Sequence, residues 1–133
     1  AEIMIYTARQ IGQMGEIAAA RYLRDNGYSI VCANFRAKTG EIDLVASKGN
    51  VIAFCEVKTR KDCRHGRPSE YVTYSKRQKL IATALLFMKR YKIKNQMRFD
   101  VLEVILPPGK THLNAEVTHI KAAFDGEDTP FSF

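Results

Sequence analysis

Four side chains combine types and spacing that permit chemistry: Glu16, Asp43, Glu56 and Lys58. Asp43 precedes the triplet Glu56-Val57-Lys58, and Glu16 stands upstream of both. Converging carboxylates suit a hard divalent cation, Mg²⁺ (or Mn²⁺). Such an ion takes oxygen ligands in octahedral geometry, often one or two carboxylates with waters and phosphate oxygens. A lysine two residues beyond the Glu reaches the same pocket. There it can stabilise charge developing on a phosphate, or position an attacking water and help deprotonate it. Taken alone, a Glu-x-Lys pair on a strand is equally an exposed ion pair worth under about 1 kcal/mol. The conjunction of Glu16, Asp43 and Glu56-x-Lys58 with the basic segment that follows favours the catalytic reading. Zinc is a poor match, because Cys32, Cys55 and Cys63 form no C-x-x-C pair and His65, His112 and His119 lack ligand spacing.

The elements that must position these groups follow from periodicity. A helix is predicted over Gln10 to Asn26, stopped by Asn26-Gly27. On it Glu16, Ala19, Ala20 and Leu23 form one stripe, whose small and apolar members should face a sheet. Strands are predicted at Tyr28 to Phe35, Glu41 to Ser47 and Val51 to Lys58, the last two joined by the Lys48-Gly49-Asn50 turn. Alternation puts residues 41, 43 and 45 on one face and 42 and 44 on the other. It likewise puts 52, 54, 56 and 58 together, with Cys55 opposite them in the core. Pairing of these two strands through the short turn would bring Asp43 near Glu56. A polar loop from Thr59 to Tyr74 leads to a second helix, capped by Ser75 and running to about Lys92. Strands at Arg98 to Leu106 and Glu116 to Ile120 complete the order αβββαββ. That order implies an α/β fold with a mixed central sheet and helices on both faces. Asp100, inside an apolar strand, reads as a structural acid paired with a base such as Arg98.

Charge supplies the second hint. The 133 residues carry 21 Lys and Arg against 14 Asp and Glu, a net charge of +7. From Lys58 to Lys79 there are eight bases and two acids, a local excess of six that accounts for nearly all of it. The block reads as a footprint for a polyanion, with Arg60, Lys61, Arg64, Arg67, Lys76, Arg77 and Lys79 as phosphate contacts and Arg36 and Lys38 beside them. Tyr71 and Tyr74 are candidates for stacking on unpaired bases or, alternatively, lids over the core. With 46% hydrophobic and 26% charged residues, a single domain spanning 1–133 is expected, and disorder or a coiled-coil rod is excluded. The unpaired cysteines suit a reducing cytoplasmic setting. The longest mostly apolar run, Leu80 to Met88, falls short of the roughly 20 residues a membrane span needs, so no membrane partner is expected.

The run Gly40-Glu41-Ile42-Asp43-Leu44-Val45, followed by Phe54-Cys55-Glu56-Val57-Lys58-Thr59-Arg60, resembles the D-x(n)-E-x-K core of the restriction-endonuclease-like nuclease superfamily. Ile42 stands where a proline often precedes the Asp. More narrowly, the chain resembles the uncharacterised bacterial YraN-like family, similar in layout to archaeal Holliday junction resolvases. Gly15-Glu16, Ala19, Tyr22-Leu23, Gly27-Tyr28, Asn34-Phe35-Arg36, Lys76-Arg77 and Arg98-Phe99-Asp100-Val101 extend the resemblance over about residues 12 to 124. The resemblance implies a restriction-endonuclease-like fold and metal-dependent cleavage of phosphodiesters in DNA rather than RNA, with branched or structured DNA as substrate. By it Asp43 and Glu56 are metal ligands, Lys58 the catalytic lysine and Glu16 an accessory acid holding metal or water. A homodimer would suit a two-strand cut. The alternative is a nucleic-acid-binding module that keeps the fold and basic face without cleaving.

Overall fold

The computed structural model describes residues 5–62 and 72–124. Arg64, Arg67, Cys63, His65 and Tyr71 lie outside the described residues. The order is α1 (Ala8–Asp25), β1 (Ser29–Ala37), β2 (Gly40–Lys48), β3 (Val51–Arg60), α2 (Tyr74–Arg90), β4 (Gln96–Ile105) and β5 (Glu116–Phe124), with a short 3₁₀ turn His112–Asn114 before β5. This is the expected αβββαββ α/β architecture.

Five strands form one sheet in the order β1-β2-β3-β4-β5. β1/β2, β2/β3 and β4/β5 are antiparallel, whereas β3/β4 is parallel. A parallel pair cannot be joined by a tight turn, and α2 lies in the connection between β3 and β4. One core, with Ala19, Leu23, Leu44, Cys55, Leu102 and Val104, sits under α1. The other, with Ile42, Val45, Phe54, Leu80, Phe87 and Phe99, sits under α2. The helices therefore cover opposite faces, which makes this a restriction-endonuclease-like arrangement.

Local chemistry sets the helix ends. Thr7 accepts from the Gln10 N–H at 3.1 Å while Gln10 Oε1 accepts from the Thr7 N–H at 2.8 Å, a reciprocal cap that starts α1 before the expected Gln10. In α2 the cap is Thr73, which accepts from the Lys76 N–H at 3.2 Å, and not Ser75 as the spacing had suggested. α2 ends at Arg90, before the expected Lys92, which is left-handed with φ 52°. β3 also runs on to Arg60, so Thr59 and Arg60 belong to the sheet and not to the polar loop.

The sheet departs from strict alternation in several places, with register shifts between Ile30 and Cys32 and between Phe99 and Val101, and one departure bears on the site. Ile42 and Val45 pack under α2 while Leu44 packs under α1, so 42 and 44 do not share a face as alternation required. In β1, Cys32 lies against the α2 core with Phe35 and Ala37, which strict alternation again forbids. Asn34 has φ 55°, a left-handed conformation that Asn tolerates better than most residues. Between the paired rungs Phe35↔Ile42 and Ala33↔Leu44 lie Asn34 and Asp43. Both strands switch faces there together.

On the α1 side a second acid is fully buried. Asp100 is 0% exposed and accepts from Arg98 Nε at 2.8 Å and Arg98 Nη2 at 2.7 Å. It also pairs with His119 Nε2 at 2.7 Å and accepts from the Ala122 N–H at 3.0 Å. Arg98 Nη2 donates onward to the Tyr28 hydroxyl at 2.7 Å. Burial alone would raise the Asp100 pKa, but the bonds from His119, Arg98 and Ala122 outweigh it and hold the carboxyl below its ordinary value. This is the structural pairing expected of Asp100.

Two outcomes test these contacts. A Cβ at Gly15 would stand 1.8 Å from Thr59 Oγ1, so Gly15→Ala should lower unfolding free energy by about 1–3 kcal/mol in urea titration, less in a Thr59→Ala background. Asp100→Asn, which breaks a buried ion pair while keeping its shape, should cost about 3 kcal/mol in the same measurement.

Candidate active site

The sheet opens between β2 and β3. Their pairing runs from Lys48↔Val51 to Leu44↔Cys55 and goes no further. Beyond that rung β2 stays with β1 as far as Ala37↔Gly40, and β3 stays with β4 as far as Arg60↔Ile105. At the fork the Val57 N–H donates to Asp43 Oδ2 at 2.8 Å, so a side chain stands in for the missing backbone partner. Glu56, next to it on β3, is 6% exposed.

A cavity of about 270 Å³ lies in the fork, lined by Gly40, Glu41, Asp43, Glu56, Lys76, Lys79 and Leu80. α2 closes it from above, and β2 approaches that helix closely where the chain turns. A Cβ at Gly40, whose φ is +150°, would meet Thr83 Oγ1 at 3.3 Å. The Thr83 hydroxyl donates to the Lys79 carbonyl at 2.7 Å, which ties it to the helix turn carrying the cavity lysines.

The charges inside are unevenly matched. Glu56 Oε1 pairs with Lys58 Nζ at 3.4 Å and is in direct contact with Lys76 Nζ. Among the described residues the hydrogen bond to Asp43 comes from the Val57 N–H. Burial first, then the Glu56 charge, push its carboxyl up to about 7, with Glu16 and Glu41 adding to the rise and the Val57 bond opposing it. Lys58 is held below its ordinary value by burial and by the hydrogen bond from Lys76, despite the pull of Glu56. Burial would lower Lys76 too, but its bonds to Glu56 and Lys58 win and raise it. Of the two amines, Lys58 gives up its proton more readily.

The expected residues fall into three groups. Asp43, Glu56 and Lys58 come together at the fork. Glu16 is half-buried on the flank of the α1 stripe, whose buried members are Gly15, Ala18, Ala19 and Leu23; it does not line the cavity and reaches Asp43 through its charge. Among the described residues no group of three or more His, Cys, Asp or Glu is arranged to hold a metal ion. Of the basic residues, Lys76 and Lys79 line the cavity itself. Arg36 is exposed and paired with Glu41 at 3.7 Å, and Arg77 lies 5.9 Å from the Tyr74 ring centre. Arg60 and Lys61 stand at the far end of β3, beside a different cavity.

Sequence reasoning missed Glu41 as a lining residue and Lys76 as a partner of Glu56. Lys76 lies within a basic run, and only the Thr73 cap, which fixes the phase of α2, aims it inward. A two-carboxylate set of hard oxygen donors fits Mg²⁺ or Mn²⁺ with waters and substrate oxygens completing the shell; it does not form a closed protein cage.

Known proteins share this chain's sequence over the same stretch. The model of the uncharacterised protein family UPF0102 matches residues 15–104, which contain Glu16, Asp43, Glu56, Lys58 and Lys76. A UPF0102 protein of Clostridium botulinum (strain Loch Maree) is 45% identical over 123 residues, covering 91% of this chain and 98% of its own length. One from Caldicellulosiruptor saccharolyticus is 46% identical over 99 residues, covering 74% and 84%. Another C. botulinum strain gives 43% over 123 residues, covering 91% and 98%. The chain belongs to the uncharacterised protein family UPF0102, the YraN-like family its motifs resemble.

Proposed function

We propose that this protein is a divalent-metal-dependent nuclease that hydrolyses phosphodiester bonds in DNA, branched or otherwise structured DNA being its substrate class. The observation that carries the reading is the meeting of Asp43, Glu56 and Lys58 where β2 and β3 part. An acid raised to about 7 by burial and a neighbouring carboxylate is costly to keep in a fold unless a cation offsets it. Asp43 and Glu56 would hold Mg²⁺ or Mn²⁺, and Glu16 would add negative charge from α1. When bound, the ion lends the positive charge that offsets charge developing on the phosphate. Lys58, lowered by its surroundings, suits accepting a proton from an attacking water; Lys76, raised by its bonds, stays charged and faces the phosphate, and Lys79 lines the same cavity. Phosphodiester hydrolysis needs on the order of 15 kcal/mol of barrier lowering, more than a basic surface alone can supply.

The basic surface suits a polyanionic partner. Among the described residues no helix is long and apolar enough to cross a membrane. A cytoplasmic setting and a symmetric dimer are part of this proposal.

Cleavage of flap, junction, single-stranded and duplex DNA with Mg²⁺ or Mn²⁺ tests the reading. Glu56→Gln and Lys58→Ala should each lower the rate by about 100-fold or more while DNA binding in EDTA persists. No cutting by any form, with salt-sensitive binding intact, would instead favour the binding module. The Asp43 carboxyl gives an independent measurement. Its folded value, raised from 3.8 to about 7, means that metal-free stability is greatest at low pH and falls as pH rises through that window. Asp43→Asn should abolish this fall and gain up to about 4 kcal/mol above pH 7, the worth of the full shift. Mn²⁺ should raise the melting temperature of the parent protein and leave that of Asp43→Asn unmoved.

A further inference from the structure

A second cavity, of about 420 Å³, opens where β3 and β4 end, and nothing in the fork uses it. Its body is apolar. Leu106, Pro107 and Pro108 contribute from the segment after β4, Ile5 and Tyr6 from the segment before α1, and Ile11 from its first turn. Its remaining side chains include Arg60, Lys61 and Lys110, and among the described residues no carboxylate lines it. The frame is fixed. The Leu106 N–H donates to the Arg60 carbonyl at 2.7 Å, and the Lys110 N–H closes the Pro107 turn at 3.1 Å. Ile5 remains 87% exposed and Ile11 36%, so apolar surface is left open at the rim.

Lys61 and Lys110 beside an apolar, aromatic recess call for a ligand that is anionic outside and flat and apolar within. A nucleotide whose base is unpaired has that chemistry, because its base offers a face to stack while its phosphates remain on the surface. A paired base inside a duplex does not. Position agrees with this choice. Arg60 follows Lys58 by two residues, about 7 Å along the strand. Thr59 between them faces α1, where it meets Gly15. Thr59 also lines this cavity, which therefore lies on the α1 side of the β3 end, and a strand running from the fork reaches it by passing around that end.

We propose that the cavity binds an unpaired nucleobase of a DNA strand whose backbone runs to the fork, with Tyr6 as the stacking surface and Lys61 and Lys110 on the flanking phosphates. The proposal rests on the nuclease reading and narrows it: the substrate carries an unpaired nucleotide beside the bond that is cut.

Anisotropy of a labelled short oligodeoxythymidylate and of a blunt duplex of equal length, both in EDTA, separates binding from cleavage. The parent protein should favour the oligodeoxythymidylate. Tyr6→Ala should weaken it by about fivefold to a hundredfold with duplex binding unchanged, and Tyr6→Phe should retain it. Equal losses on both probes, no loss on either, or a Tyr6→Phe variant as weak as Tyr6→Ala would overturn the proposal. The last two would leave the cavity to an apolar protein segment. The same proteins assayed with Mg²⁺ keep the two readings apart. Selective Tyr6-dependent binding without any cutting removes the nuclease and leaves the cavity standing. Cutting that ignores Tyr6 removes the cavity and leaves the nuclease standing.

Discussion

The parting of β2 from β3 is the constraint on which the candidate site depends. A sheet that stayed paired through residues 43 and 56 would satisfy its backbone and leave no space between the strands. Here β2 follows β1 and β3 follows β4, and the freed Val57 N–H is taken by Asp43. That single bond makes the carboxylate point into the gap and supports it there. It does not neutralise it. α2, clamped to the β1–β2 turn through Thr83 and its hydroxyl contact with Thr39 at 2.7 Å, then roofs the gap and delivers Lys76. The position of α2 follows in turn from the parallel β3/β4 pair it must connect. Fold and site are thus one arrangement, in which sheet topology fixes the roof and the fork fixes the floor.

Much of this was legible in the sequence, and the reasons differ by element. Helical stripes and alternating strands follow from burial alone, so α1, α2 and the five strands stand near their expected bounds. Even-numbered residues of β3 do share the α2 face, with Phe54 packed there and Glu56 bonded to Lys76, while Cys55 lies opposite. β2 broke the rule because alternation holds only while φ and ψ stay extended. The left-handed Asn34 in the neighbouring strand displaces the rung it shares with Asp43. No pattern of apolar residues announces that. The inward turn of Lys76 was equally hidden, since a lysine in a basic run carries no mark of which face it takes. Glu16 illustrates the opposite limit: its stripe was read to within one residue, and one residue of helix phase separates a buried face from a half-buried flank.

Two buried aspartates show how the same side chain can be fully paired in one place and left partly unpaired in another. Asp100 has a guanidinium, an imidazole and a backbone N–H on its two oxygens, and its pKa is lowered. Asp43 accepts one backbone N–H, and burial and the neighbouring carboxylates raise its pKa although Lys76 lines the same cavity. Burial opposes charge in both. The difference lies in what the fold supplies against it. Around Asp100 the protein is complete, because every strong acceptor position has a donor. Around Asp43 burial and the Glu56 charge prevail, although Lys76 lines the same cavity and Lys58 is paired with Glu56 beside it.

Those two ammonium groups are engaged by Glu56. Both Lys58 and Lys76 converge on one oxygen of Glu56, and Lys76 reaches Asp43 through its charge. Two amines crowded on one acceptor also raise each other's cost of staying charged, and the burden falls on Lys58, whose pKa drops while that of Lys76 climbs. The cluster therefore divides into an acid that resists ionising, an amine inclined to lose its proton and an amine that keeps it. A purely stabilising ion-pair network would be arranged to bring its charges to rest, as around Asp100. Opposite tendencies held side by side at the fork are the pattern in which perturbed pKa values cluster at functional sites, which is why the cluster carries the proposal.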